Sequence, residues 1–328
     1  MKPSVIIGVD VSKSTLDIFC KPFDSSLRIA NNAAGFKKLL WHLQQEAADC
    51  FDKLLVVMEH TGAYSRRFEE FLYAQGIGYC KIAALQIKRS LGIIRGKNDK
   101  IDARRIAEYG WLRRDVLVVH DRVQAGVEKL RSLLSLRKKM VSDRAGYKAR
   151  LKEMLVTGSC SPNDIETKIQ QTIVKDYSRG IAQLEREIQA IIKSNETLRQ
   201  THELLKSIKG VGWLVAASMI CYTDNFRKFA NARKFNCYAG VAPFGNDSGT
   251  SIRTRPRVSH LANKEVKTLL NLAAFSALRH DSELKRYYQR RLTEGKRKMS
   301  CVNIIRAKII SRMFAVVKRQ TPYLELAA

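Results

Sequence analysis

Acidic residues are the scarce component of this chain. Its 328 residues include 31 Asp and Glu against 59 Lys and Arg, a formal net charge of +28. That imbalance suits no small neutral substrate; it points to nucleic acid first and to an anionic membrane surface second. A discrete basic tail is also missing. Residues 200–328 carry 24 Lys and Arg against 8 Asp and Glu, and the remainder 35 against 23. The positive charge therefore runs through the chain and is densest at its C-terminal end. With 45% hydrophobic residues, a disordered polycation is excluded. There is no C-x-x-C pair: the seven cysteines stand at 20, 50, 80, 160, 221, 237 and 301, which argues against a zinc site and, by the odd count, for free thiols in a reducing compartment. No stretch approaches the ~20 apolar residues that span a bilayer. Asp10 and Lys13 interrupt the short apolar run near the start, so no signal-peptide core is expected. These absences predict a cytoplasmic protein without a membrane partner, and no internal repeat or low-complexity tract qualifies that reading.

The length suits two or three domains. Residues 5–11 read as a strand buried on both faces, with 15–19 and 27–31 as the rest of an antiparallel meander. Helical spacing over 36–47, a β-rich run over 54–58, a helix over 65–75, a strand over 79–83 and a helix over 102–111 complete an α/β pattern with a mixed sheet. From about residue 124 the pattern becomes helical. Residues 127–156 form one long basic amphipathic stretch, and Ser161-Pro162-Asn163-Asp164 breaks it. Tyr177, Ile181, Leu184, Ile188, Ile191 and Leu198 then form a heptad seam with Asn195 at a core position. The seam fits an intramolecular helical hairpin and a dimer equally well. Helices are expected again at 213–222, 231–239, 263–279, 282–292 and 299–318, around an irregular segment at 242–256.

Four of the scarce acids stand out: Asp10 in Gly8-Val9-Asp10-Val11-Ser12-Lys13, Glu59 in Glu59-His60-Thr61-Gly62, and the pair in Lys97-Asn98-Asp99-Lys100-Ile101-Asp102. The first two end or interrupt apolar β-like runs, and the last two, three apart, share a helix face. Carboxylates so placed suit Mg²⁺, which takes oxygen ligands and supports phosphodiester chemistry, commonly as two ions ~4 Å apart. Solvated helix-start acids beside Arg104 and Arg105, with Asp10 in a turn, would produce the same spacing.

Gly210-Val211-Gly212 between two amphipathic helices reads as a helix-hairpin-helix that approaches a phosphate, or as a plain helix cap. In the polar loop Phe244-Gly245-Asn246-Asp247-Ser248-Gly249-Thr250-Ser251, the serines read as turn formers, phosphate ligands or, in the sharper reading, a nucleophile. Arg253, Arg255 and Arg257 follow at alternate positions and would line one side of an extended segment. With Lys13, Lys97, Gly210 and Gly212 they are the candidate nucleic-acid contacts.

Six motifs in order, G-V-D-V-S-K, M-E-H-T-G-A-Y, K-N-D-K-I-D-A-R-R-I-A-E-Y, K-G-V-G, Y-A-G-V-A-P and S-G-T-S-I-R-T, give the chain a strong resemblance to the DEDD-type insertion-sequence transposases that work with a bridge RNA, and to the related Piv-type DNA invertases. The resemblance implies an α/β ribonuclease H-like domain of the RuvC type over 1–120. A helical coiled-coil section over 121–200 and a mainly α transposase domain over 201–328 follow from it. It implies that Asp10, Glu59, Asp99 and Asp102 bind Mg²⁺, for which Mn²⁺ can substitute, and that Ser248 attacks DNA. Double-stranded DNA, a structured guide RNA and a homodimer or homotetramer are the implied partners. The chain departs from the family pattern at His60, and at Ala262-Asn263 and Lys267, where the family has Gly-Asn and Arg. Ser251 stands as a second nucleophile candidate. The expectation is a recombinase that cuts and rejoins DNA strands. A Mg²⁺-dependent junction nuclease using water and a non-catalytic architectural DNA- or RNA-binding protein are the alternatives.

Overall fold

The structure, a computed structural model, describes residues 3–60, 62–90, 92, 98–121, 123–124, 126–248 and 252–324, except for the side chains at 246–248 and 252–254. The chain divides into two compact units, Met1–Arg122 and Val123–Ala328. Among the described residues no helix is long and apolar enough to cross a membrane.

The first unit is built on one mixed sheet. Strands β1 (Val5–Val11), β2 (Thr15–Lys21) and β3 (Ser25–Ala30) form the expected antiparallel meander, and β4 (Leu54–Glu59) and β5 (Gly78–Ile82) add parallel to β1, giving the order β3-β2-β1-β4-β5. Helices α1 (Ala33–Glu46) and α2 (Arg66–Ala74) make the crossovers. Their Phe36, Leu39, Leu43, Phe68 and Leu72 pack with Val5, Ile7, Val9, Val56 and Met58 on one sheet face. Strands β1 and β4 are covered on both faces, which is why they read as nearly continuous apolar runs.

The opposite face holds α3 (Ala84–Ser90), which the apolar spacing did not reveal, and α4 (Asp99–Arg113). Helix α4 lies unusually close to the sheet because both surfaces are cut back. A Cβ on Gly8 would stand 2.3 Å from the Ala107 nitrogen and 2.4 Å from the Ala103 carbonyl oxygen. Ala103, Ala107 and Gly110 fall at helical spacing on the side that meets the strands. Gly8 abuts residues 103 and 107 while Ile6 abuts Gly110, so α4 runs antiparallel to β1 and its first turn lies at the C-terminal end of that strand. The helix starts three residues earlier than its apolar spacing implies. Asn98 caps it, accepting from the backbone N–H groups of Lys100 (2.8 Å) and Ile101 (3.3 Å).

The second unit is mainly helical. Helices α5 (Val127–Val156) and α6 (Ile165–Ser194) form a long antiparallel hairpin. Arg137 Nε donates to Glu185 Oε1 at 2.8 Å, Arg144 to Ser178 Oγ at 3.2 Å, and the Tyr147 and Tyr177 rings lie 5.9 Å apart. The seam thus packs within the chain as far as Ile191. It does not continue through Asn195, which is no core residue. Asn195 ends α6 and caps α7 (Glu196–Lys206), its side chain accepting from the Leu198 N–H at 3.2 Å. Helices α8 (Trp213–Thr223), α9 (Ala232–Tyr238), α10 (Lys264–His280), α11 (Ser282–Thr293) and α12 (Lys298–Arg319) follow, with α8, α10 and α12 supplying most of the core. The segment expected to be irregular is a two-stranded antiparallel ribbon, β6 (Pro243–Ser248) and β7 (Ile252–Val258). Gly210 has φ +92°, and a Cβ there would meet the Ala273 carbonyl oxygen at 2.6 Å, so this glycine serves a close approach to α10. Gly212 faces open space at the start of α8.

Candidate active site

Strand register assembles a charged row that crosses the first unit's sheet. Asp10 on β1 stands opposite Asp17 on β2, and Asp17 opposite Arg28 on β3. On the other side Val9 pairs with Met58, so Asp10 and Glu59 are the next positions along two parallel strands. Alternation fixes the face: Gly8 and Val57 abut α4, so Asp10 and Glu59, each two residues on, point to the same side. The first turn of α4 brings Asp99 and Asp102 to that end of β1. The two strand acids and the helix pair, far apart in sequence, are thereby gathered on one face at the carboxyl ends of parallel strands, where open α/β sheets form their binding crevices.

The electrostatics record the crowding. Burial, followed by the charges of Asp99, Asp102, Glu59 and Asp17, pushes the Asp10 carboxyl up to about 6. Asp17 is also raised, by burial, with Arg28 pulling in the opposite direction. Asp102 is paired with Arg105 at 2.9 Å. Among the described residues, no three His, Cys, Asp or Glu side chains converge closely enough to hold a metal ion. The donor set still suits a hard divalent cation. It is all oxygen, and such a cation would offset the neighbouring negative charges that, after burial, raise Asp10.

Asp17 and Arg28 escaped the sequence reading. Arg28 Nε lies 3.5 Å from Asp17 and Nη2 3.7 Å from Asp99, so this cation joins the sheet row to α4. The available signal was an acid between Leu16 and Ile18, inside a strand whose neighbours are buried. Arg28→Ala should leave the unfolding free energy within about 1 kcal/mol, because the Arg28 side chain is 61% exposed and exposed ion pairs contribute little. By removing a competing cation it should tighten Mn²⁺ binding roughly threefold in a direct titration. Weaker binding would mean that Arg28 holds Asp99 in place for the ion.

The remaining candidates are dispersed. Lys13 is exposed in the turn between β1 and β2, while Lys97 and Ser251 lie outside the described residues. Ser248 is the last residue of β6, its backbone opposite Ile252, and Arg253 stands opposite Asp247. Arg255 and Arg257 are exposed on β7.

Two family models match the chain in order. A transposase model of the DEDD type named for IS110 matches residues 7–158, and the model described as the transposase IS116/IS110/IS902 family matches residues 202–289. A pilin gene-inverting protein of Moraxella lacunata is 24% identical over 323 residues, covering 97% of each chain. The transposase for insertion sequence element IS1111A of Coxiella burnetii is 23% identical over 305 residues, 85% of this chain and 79% of that protein. An uncharacterized 43.6 kDa protein of insertion element IS110 from Streptomyces coelicolor is 27% identical over 154 residues, 46% of this chain and 38% of that protein.

Proposed function

We propose that this chain, which belongs to the IS110-type DEDD transposase family, cuts and rejoins DNA strands through a serine nucleophile assisted by the carboxylate site. The observation that carries this reading is the gathering of Asp10, Glu59, Asp99 and Asp102 on one sheet face in a chain of net charge +28. A polyanion-binding protein has no use for such a cluster unless cations screen it. The first unit, with its antiparallel meander and parallel additions, is compatible with a ribonuclease H-like fold of the RuvC type.

In the proposed reaction the Ser248 hydroxyl oxygen forms a bond to phosphorus as the bond to one bridging oxygen of the DNA backbone breaks. The serine proton is given up and the departing oxygen is protonated. A hydroxyl from a second strand then attacks the phosphoserine, restoring the serine and joining the strands, so that no external energy source is consumed. Mg²⁺ or Mn²⁺ held by the four carboxylates would supply Lewis-acid polarisation of the phosphate and stabilise the leaving oxygen. Arg255 and Arg257 neutralise flanking phosphates. Joining two DNAs requires at least a dimer, with a tetramer the fuller synaptic assembly. The basic charge in both parts of the chain supports simultaneous binding of DNA and a structured guide RNA.

The test is to trap the covalent protein–DNA adduct on a DNA substrate with its guide RNA. Adduct should form with the wild type and with Ser251→Ala, and be lost with Ser248→Ala. The reverse pattern would move the nucleophile to Ser251. Hydrolysed ends that are indifferent to both changes would identify a water-using nuclease, and binding without cleavage an architectural protein.

A further inference from the structure

The root of the β6–β7 ribbon holds a cavity of about 710 Å³, lined by Tyr238, Phe244, Arg255, Arg257 and Leu261 among others. This is the size of a small-molecule site, which spans roughly 300–1,000 Å³. Strand geometry explains its chemistry. Phe244 stands opposite Arg257, and the register of the ribbon shifts between Phe244 and Asn246, where Arg255 sits on the facing strand; the lining thereby holds one ring and two guanidinium groups. Phe244 is 49% exposed, an unusual state for a phenylalanine next to a cavity. Tyr238, also in the lining, is tied to its neighbours. Its hydroxyl accepts from Asn263 Nδ2 at 2.8 Å, and its ring packs 5.1 Å from Phe229 and 5.9 Å from Phe235.

Among the described residues, the charged side chains lining the cavity are Arg255 and Arg257, and a further cation, Arg306, is tied to the start of the ribbon. Arg306, only 5% exposed, donates to the side-chain oxygens of Asn303 and Asn271 and has no carboxylate partner among the described residues. Asn303 in turn donates to the Val241 carbonyl at 2.6 Å, just before β6. An apolar wall with two aromatic rings would accept many molecules; arginines without acids restrict the occupant to one that carries negative charge beside a flat apolar surface. A nucleotide has both.

We propose that this cavity receives an unstacked nucleobase of the DNA strand engaged by the ribbon, with Phe244 and Tyr238 against the base and Arg255 and Arg257 on the adjoining phosphates. The inference rests on the reading of the chain as a DNA-strand recombinase. It adds a base-binding site on the same ribbon as the residue proposed to attack the backbone. Stacking on an aromatic side chain tolerates any base, so the site grips a strand without dictating its sequence.

The test uses the full-length protein, without strand exchange as a readout. Photocross-linking to a single-stranded oligothymidylate carrying 5-iodouracil should map to Phe244 or Tyr238. At elevated salt, where phosphate contacts weaken, the wild type should bind oligothymidylate roughly 5- to 100-fold more tightly than an abasic oligonucleotide of equal length. Phe244→Ala should abolish most of that preference, and Phe244→Leu, which keeps apolar bulk, should restore little of it. Equal binding of the two oligonucleotides by the wild type overturns the proposal, as does a preference untouched by Phe244→Ala. A Phe244→Ala protein that keeps the base preference but changes its sedimentation would assign the cavity to a contact between copies of the chain. Because adduct formation by Ser248 is measured separately, failure here leaves the recombinase reading standing, and the converse also holds.

Discussion

Asp10→Asn is expected to stop strand exchange and, in the ion-free protein, to raise stability at neutral pH. The two effects share one cause. A carboxyl with an unfolded-state pKa of 3.8 and a folded-state value of about 6 binds its proton more tightly when folded. Stability therefore falls as pH rises from about 4 to about 6 and stays low above that. The Asn variant does not titrate there, so its advantage over the wild type should open across this window and be largest above it. Asp10 is only partly buried, and we expect the gain to be about 1 kcal/mol, well under what the shift alone would give. Adding Mg²⁺ or Mn²⁺ should restore the wild type and leave the variant nearly unchanged. Activity should fall roughly a thousandfold or more, as when a group that stabilises a phosphoryl-transfer transition state is lost. Thermal melts of both proteins across pH, with and without the ion, test the linkage. A variant less stable than the wild type at neutral pH would show that burial and the neighbouring acids do not penalise the Asp10 charge, and surviving strand exchange would remove Asp10 from the reaction.

The second large effect belongs to Gly8→Ala. The added methyl would stand 2.3 Å and 2.4 Å from backbone atoms of α4, and backbone cannot rotate aside as a side chain can. Either α4 lifts from the sheet or β1 bends. The expected cost is at the upper end of overpacking, about 3 kcal/mol, read as a lowered denaturant midpoint. Divalent-ion affinity should fall with it, because α4 carries Asp99 and Asp102. Gly110→Ala is the comparison: there the new methyl meets Ile6 Cγ2 at 2.8 Å and Val57 Cγ2 at 2.9 Å, methyls of buried β-branched side chains, so it too should destabilise, but by less than a clash with backbone. If Gly8→Ala costs no more than Gly110→Ala, the close docking of α4 is not what sets the position of the acids.

Much of the architecture could be read along the chain because its signals are local. The apolar runs of β1 and β4, the periodicity of α5 and the helix read over 102–111 all sit within a few residues of their cause. What escaped depends on partners distant in sequence. Asp17 and Arg28 become part of the site only through pairing with Asp10 and with each other across strands. Asn195 fits the heptad count by position, yet its side chain does more for the backbone N–H of Leu198 than it could in a seam. The β6–β7 ribbon was hidden for a different reason. Its Gly, Ser, Thr and Arg lack apolar alternation, and its described side chains at 243–245 and 255–257 are exposed.

The charged row across β3, β2, β1 and β4 has an evolutionary consequence. Its members share a face only because four strands keep step, and a strand's side chains invert with every single-residue slip. An insertion of one codon within β1 ahead of Asp10 would turn that carboxylate toward the core formed by Phe36 and Phe68, and would expose the valines to the crevice. Substitutions can tune this site one residue at a time, but changes of length in its strands cannot. A one-residue change of length between Val5 and Asp10 or between Leu54 and Glu59 should therefore abolish the site, whereas one in the β2–β3 turn should leave it standing.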